Sequence, residues 1–192
     1  MGVAVGNVAS LALPVFFQDK IFAARFVGTP SAVLVQEVVY DSRKISRSEG
    51  VAFFGLNGPK RSGFEYVQAA YDKGIRIFVL DQQPAKEFAE ACFYIVDDVL
   101  EALQQLATFH RKRINYPILA IAGAIGKTTV KEWLYQLLHP SFNIVRSPRS
   151  FNSQVGVPLS VWKMDSSYDL AIFEAGISTT GEMQLLASII KP

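Results

Sequence analysis

The sequence predicts an α/β protein in two parts, a small N-terminal α/β domain followed by an incomplete parallel-sheet domain of the P-loop type. Three observations predict it. Apolar runs of strand length alternate with segments of helical periodicity. The run Ile118–Ala122 passes through a glycine loop, Gly123-Ala124-Ile125-Gly126, directly into the helical segment Thr128–Leu138. Between the two parts, Asn115-Tyr116-Pro117 interrupts the alternation and sets a boundary, which divides the chain into an unassigned leader (1–25), a first domain (26–115) and a second (116–192).

In chain order, Ala32–Tyr40 is β-rich through Val33, Leu34, Val35, Val38 and Val39 and closes in the polar turn Asp41-Ser42-Arg43-Lys44. Val51-Ala52-Phe53-Phe54 forms the next strand and ends in the loop Gly55-Leu56-Asn57-Gly58-Pro59. Phe64, Val67, Ala70 and Tyr71 are spaced for one face of a helix, with Gly74 as its stop, and Ile75–Leu80 follows as a buried strand. A short helix is expected near Ala85–Ala91 and a strand over Phe93–Val96. Asp98, with Glu101 three residues on, caps a helix whose inner face carries Leu100, Leu103, Ala107 and His110. In the second domain a polar loop near Arg146–Gln154 leads to a helix over Val157–Trp162. The strand Leu170–Phe173 then runs into Glu174, and Thr179 with Glu182 caps a last helix. The second sheet has few of the strands such a domain normally holds, so it is expected to be truncated.

Composition excludes several classes of function. Half of the 192 residues are apolar and 19% are charged, as in ordinary globular proteins. A formal charge of +2 with scattered Lys and Arg argues against a nucleic-acid or membrane surface, and the one tight cluster, Arg111-Lys112-Arg113, reads as a solvated helix end. The single cysteine, Cys92, excludes an internal disulfide and suits the cytoplasm. The apolar first seventeen residues carry no Lys or Arg before Lys20 and are broken by Asn7 and Pro14, so they read neither as a signal peptide nor as a membrane span. Gly6 stands where a myristoylation motif has Ser or Thr.

The glycine loop carries the chemistry. Glycines between a strand and a helix let backbone N–H groups curl around phosphate oxygens, and the helix start adds about half a positive charge. Lys127 is placed to reach the outer phosphates, and the Thr128 hydroxyl to ligate Mg²⁺. The usual P-loop has four residues between its glycines, whereas Gly123 and Gly126 enclose two, so the match is to a shorter variant. Glu174 closes a strand that should lie beside the loop, where a carboxylate can hold the same Mg²⁺. His110 and His139, at helix ends, and Phe53 and Phe54 are read as structural.

These motifs resemble those of the Mur ligases, ATP-dependent amide-bond ligases that build the peptidoglycan stem peptide. Gly123-Ala124-Ile125-Gly126-Lys127-Thr128-Thr129 is similar to the family's short phosphate loop. Asn152-Ser153-Gln154-Val155-Gly156-Val157-Pro158 is similar to its Asn-rich segment, and Glu174-Ala175-Gly176 with Gly181-Glu182 to its magnesium-binding region. Asp41-Ser42-Arg43, the Phe53–Gly58 loop and Gly63–Leu80 resemble the family's uridine-binding unit. Asp41-Ser42-Arg43-Lys44, Val130-Lys131-Glu132-Trp133-Leu134 and Ser150-Phe151-Asn152-Ser153-Gln154 look most like members that add D-alanyl-D-alanine to UDP-N-acetylmuramoyl-tripeptide, including a form fused to an alanine racemase.

The resemblance implies ATP and Mg²⁺ held by residues 123–129 and Glu174, with Lys127 and Glu174 catalytic and Thr128 and Glu174 on the metal. Ser42, Arg43 and Asn152 would hold the UDP substrate. It implies a reaction through an acyl phosphate, a cytoplasmic setting and, for a truncated piece, binding without ligation. Ala124 and Ile125 depart from the family pattern of a hydroxyl residue followed by a small or polar one. Three other readings stay open: a sister ligase adding the diamino acid, a folate polyglutamylating ligase, which the uridine-type first domain disfavours, and a nucleotide-binding module without chemistry.

Overall fold

The computed structural model describes residues 24–28, 34–59 and 61–192, so most of the unassigned leader lies outside the described residues. The chain divides into two compact units, with the cut between Leu103 and Gln104.

In the first unit β1 (Arg25–Gly28), β2 (Glu37–Val39), β3 (Val51–Phe54), β4 (Ile77–Leu80) and β5 (Cys92–Ile95) form a sheet in the order β1-β5-β4-β3-β2. Neighbours among β2 to β5 run parallel, and β1 is antiparallel to β5. β3 and β4 are buried along their whole length, which is why both read as unbroken apolar runs rather than alternating ones. Phe53, Phe78 and Phe93 anchor the core, with the rings of Phe78 and Phe93 stacked 5.1 Å apart. Phe53 and Phe54 are therefore core residues, as expected.

The helix expected near Phe64–Lys73 begins as a 3₁₀ turn, Gly63–Tyr66, closed by a capping box between Ser62 and Glu65, and continues as α1 (Val67–Asp72). In the Ala32–Tyr40 stretch only Glu37–Val39 joins the ladder, and residues 32 and 33 lie outside the described ones. The expected helix near Ala85–Ala91 is a series of turns instead, with Glu90 at φ 59. Its one large apolar side chain, Phe88, anchors the segment against Tyr71 and Phe93. A single apolar anchor does not make a helical face.

The helix α2 (Val99–Arg111) opens as predicted, Asp98 Oδ1 accepting from the backbone N–H groups of Leu100 and Glu101 at 2.7 and 3.0 Å. Its later part packs with the second unit's core, Ala107 clustering with Ile114 and Ile118. Buried His110 sits with Nε2 2.7 Å from the Met164 carbonyl and its ring 4.9 Å from that of Trp162, and burial pushes its pKa down. Those contacts explain why the cut falls inside this helix and not at Asn115–Pro117. Lys112 and Arg113 are exposed, as a solvated helix end requires, whereas Arg111 is half-buried and its guanidinium donates to the carbonyls of Ile114, Ile190 and Lys191.

In the second unit β6 (Ile118–Ala122), β7 (Ile144–Arg146) and β8 (Leu170–Ala175) form a parallel sheet in the order β6-β8-β7. The helices α3 (Lys127–Leu138), α4 (Gly156–Val161) and α5 (Glu182–Ile190) connect or follow these strands. One core joins Val157, Val161, Phe173, Leu186 and Ile189, and the other face of the sheet packs Ile144, Leu170 and Ile172 on Leu134 and Leu138. The strand β7 was not predicted. Glu182 reaches back to the N–H groups of Ser178 and Thr179, but the residue before α5 is Gly181, so Thr179 does not serve as its N-cap. β6 forms one edge of this sheet, with Leu119 40% exposed, and α3 exposes Trp133 by 64% and Leu137 by 75%.

Candidate functional site

Register brings the predicted site together. β6 and β8 pair so that Ile121 faces Glu174 and Ala122 faces Ala175, which puts the glycine loop and the Glu174 carboxylate at neighbouring carboxyl ends. That edge is where open α/β sheets collect ligands. Gly123 has φ +145 and Gly126, the N-cap of α3, has φ +83. A Cβ built at either would meet nothing within 4 Å, so both glycines serve the backbone conformation and leave the space before the loop open.

Lys127 folds onto its own loop, Nζ donating to the carbonyls of Gly123 at 2.6 Å and Ala124 at 3.1 Å. Its charge thus stands at the mouth of the loop, beside the positive end of a twelve-residue helix. Ala124 and Thr129 are exposed, and Ile125 is 97% exposed, so this bulky side chain is not packed into the turn that shapes the loop.

Thr128 and Glu174 meet. The Thr128 hydroxyl donates to Glu174 Oε2 at 3.1 Å, and Asn152 Nδ2 lies 3.5 Å from the same oxygen. Adjacent ligands of an octahedral magnesium, each about 2.0–2.1 Å from the ion, stand about 3 Å apart, so this hydroxyl and carboxylate fit such an ion. Glu174 Oε1 is buried with no hydrogen-bond partner among the described residues, although Lys131 Nζ stands 3.0 Å from it as an ion-pair partner.

The surrounding loop is held close. Gly176 donates its N–H to the Asn152 carbonyl at 2.7 Å, and a Cβ at Gly176 would come within 3.0 Å of that oxygen. The Glu174 N–H donates to Ser147 Oγ at 3.1 Å. Lys131 is a residue beside the site to which the sequence reading gave no role there. It is fully buried beneath the site, with Nζ donating to the carbonyls of Ser147 and Arg149. One signal was available: Lys131 lies three residues after Thr128 and four after Lys127, on the same face of α3.

The first unit gathers its own polar residues at carboxyl ends of β2, β3 and β4. Arg43 grips Asp41 in a bidentate pair, with Nε and an Nη each 2.9 Å from a carboxylate oxygen. Hydrogen bonding from the Arg43 side chain holds the Asp41 carboxyl down at about 2. Ser42 is buried, and its carbonyl accepts from Lys73 Nζ at 2.7 Å. Asn57 bridges Asp81 at 2.6 Å and Ser62 at 2.8 Å. Asn152, grouped in the sequence reading with Ser42 and Arg43, belongs to the second unit and stands beside Glu174. No group of three or more metal-ligating side chains occurs among the described residues, and none of their helices is long and apolar enough to cross a membrane.

Comparison with known proteins bears on both units. Residues 121–192 match the Mur ligase middle domain. The UDP-N-acetylmuramoyl-tripeptide--D-alanyl-D-alanine ligase of Borreliella burgdorferi is 31% identical over 179 residues, covering 88% of this chain and 39% of that protein. The ligase of the same name from Treponema pallidum is 33% identical over 165 residues, 81% of this chain and 35% of the relative. This chain thus spans between about a third and two fifths of the length of the curated relatives it matches. Among solved structures, MurF from Acinetobacter baumannii superposes with a TM-score of 0.81 at 23% identity, over 91% of this chain and 38% of that one. MurF from Thermotoga maritima, in complex with ADP, superposes with a TM-score of 0.69 at 22% identity over 80% of this chain and 35% of its own. These likenesses confirm the α/β fold with parallel sheets.

Proposed function

We infer, from the premise that this chain is a relative of the Mur ligases, that it forms the substrate- and nucleotide-binding front part of a ligase adding D-alanyl-D-alanine to UDP-N-acetylmuramoyl-tripeptide. The observation that carries the reading is the Thr128 hydroxyl meeting the Glu174 carboxylate at 3.1 Å beside an open glycine loop. The loop's backbone N–H groups and Lys127 would hold the ATP phosphates, and Thr128 and Glu174 would hold Mg²⁺. That ion supplies positive charge where the transferred phosphoryl group develops negative charge. Lys127 would leave the carbonyls of Gly123 and Ala124 for the outer phosphates and hold them as a point charge.

In the first unit Arg43, 86% exposed at the carboxyl end of β2, would bind the UDP end of the substrate beside Ser42. The first unit would then be the UDP-binding domain and the second the ATP-binding domain. The reaction would pass through an acyl phosphate on the tripeptide carboxylate, which the dipeptide amine attacks. The matched relatives extend well beyond the length of this chain.

Titration calorimetry with Mg-ATP tests the phosphate site directly. We expect saturable binding by this chain that Lys127→Ala weakens at least tenfold. Absence of binding by the unaltered chain, or equal binding by the variant, would sink the reading.

A further inference from the structure

One charged side chain is left over once the phosphate site has been assembled. Lys131 is 0% exposed and spends its hydrogen bonds on two backbone carbonyls, those of Ser147 at 2.8 Å and Arg149. An ammonium so fixed cannot swing out to a ligand, yet its charge acts at 3.0 Å on Glu174 Oε1. It lies 3.2 Å from Glu132 Oε1, and Glu132 Oε2 is in turn 3.2 Å from Arg146. Two cations thus face two carboxylates, and Lys127 adds a third positive charge at the mouth of the loop. No net negative charge remains to draw a bare divalent cation to Glu174.

We propose that Lys131 is a positioning residue that neutralises Glu174, so that the carboxylate accepts a divalent cation only when a nucleotide polyphosphate brings the rest of the negative charge. The inference rests on Glu174 and Thr128 being the cation ligands. Its physical content is that the Coulomb interaction across 3.0 Å between two side chains that are both 0% exposed is screened far less than one at the surface. A cation entering alone meets a carboxylate already matched, whereas a Mg-nucleotide arrives with an excess of negative charge that Lys127 and the helix start can take up. Lys131 also holds the Ser147 segment by its carbonyl, and the Ser147 hydroxyl in turn accepts from the backbone N–H of Glu174.

The test is Mn²⁺ binding without nucleotide, read from the loss of the free-ion signal in electron paramagnetic resonance. The unaltered chain and Lys131→Arg should bind Mn²⁺ only in the millimolar range. Lys131→Met should bind it at least tenfold more tightly, and the double variant Lys131→Met/Glu174→Gln should lose that gain. Equal affinity of Lys131→Met and the unaltered chain would overturn the proposal. So would an equal gain in Lys131→Arg, which keeps the charge, or a gain that survives in the double variant.

If Lys131→Met does not fold, the unaltered chain still decides, because saturable micromolar Mn²⁺ binding without nucleotide is incompatible with a neutralised carboxylate. The Mn²⁺ series needs no nucleotide. Failure to bind Mg-ATP would therefore remove the functional reading separately, and failure of the Lys131 series would leave Lys127-dependent ATP binding intact.

Discussion

The two sheets finish their parallel strands in opposite ways. In the second unit the carboxyl end of β8 carries a carboxylate that is 0% exposed and faces a lysine that is equally buried. In the first unit the corresponding polar side chains are only partly covered, Arg43 86% exposed and Asp41 16%, and they pair locally, Asp41 with Arg43 and one Asp81 oxygen with Asn57. Charge at a surface is solvated and screened, so pairs there contribute little and can rearrange for a ligand. Buried charge has no such freedom, because each ion needs its partner and its hydrogen bonds in place. The second unit is therefore preorganised, and the first is adaptable.

The sharpest way to break that contrast is to remove the buried cation. Lys131→Met leaves Glu174 without its counter-charge, and breaking a buried pair by deleting one partner destabilises by about 3–5 kcal/mol. Urea unfolding of the variant should show that loss. Adding Glu174→Gln should restore most of it, since a neutral pair of similar volume has no buried charge left uncompensated. A loss under about 1 kcal/mol would mean that water reaches Glu174 and that the site is not preorganised.

How much of this was legible in the sequence follows the same division. The α/β alternation, the strands β3 and β6 at their observed bounds, the glycine loop and Glu174 could all be read, because each shows in local pattern or in strand–loop–helix order. The strand β7 could not, because Ile144-Val145-Arg146 is too short to show a period and gains its identity only by pairing with β8. The burial of Lys131 was harder still to read. A helix is ordinarily expected to bury its apolar residues, yet α3 buries Lys131 and exposes Trp133 and Leu137. Only the distant carbonyls of Ser147 and Arg149 and the Glu174 carboxylate make that burial favourable.

Glycines sharpen the comparison at the level of the backbone. In the first unit a Cβ at Gly63 would lie 2.2 Å from the Gly55 carbonyl carbon and 2.5 Å from the Leu56 nitrogen, so two chain segments touch there. Gly63→Ala should destabilise by about 1–3 kcal/mol or more through overpacking against backbone that has nowhere to move. In the second unit Gly126→Ala meets open space and bears only the left-handed strain of its φ of +83, about 1–2 kcal/mol. Thermal unfolding should rank Gly63→Ala as the more damaging. The reverse ranking would mean that the phosphate loop is the more tightly packed of the two.

The smallest effect is the most specific to the first unit. The Asp41 carboxyl is held at about 2, below its ordinary 3.8, first by the hydrogen bond from the Arg43 side chain and also by the Arg43 backbone N–H. A carboxylate whose folded value is depressed contributes stability that is fully present above its unfolded value and is lost as pH falls through the folded one. The window is therefore about pH 4 down to about 2, and neutral pH lies outside it. Arg43→Ala removes the side-chain bond, the largest cause of the depression, and leaves burial opposed by the backbone N–H, so the Asp41 midpoint should rise toward 3.8. Carbon-detected NMR titration of the Asp41 carboxyl reads that shift directly. A midpoint unchanged by Arg43→Ala would show that the turn's own N–H, and not the guanidinium, sets the charge at this end of the first sheet. Arg43 would then already be free for an anionic ligand, and the first unit would not need to break a pair in order to bind one.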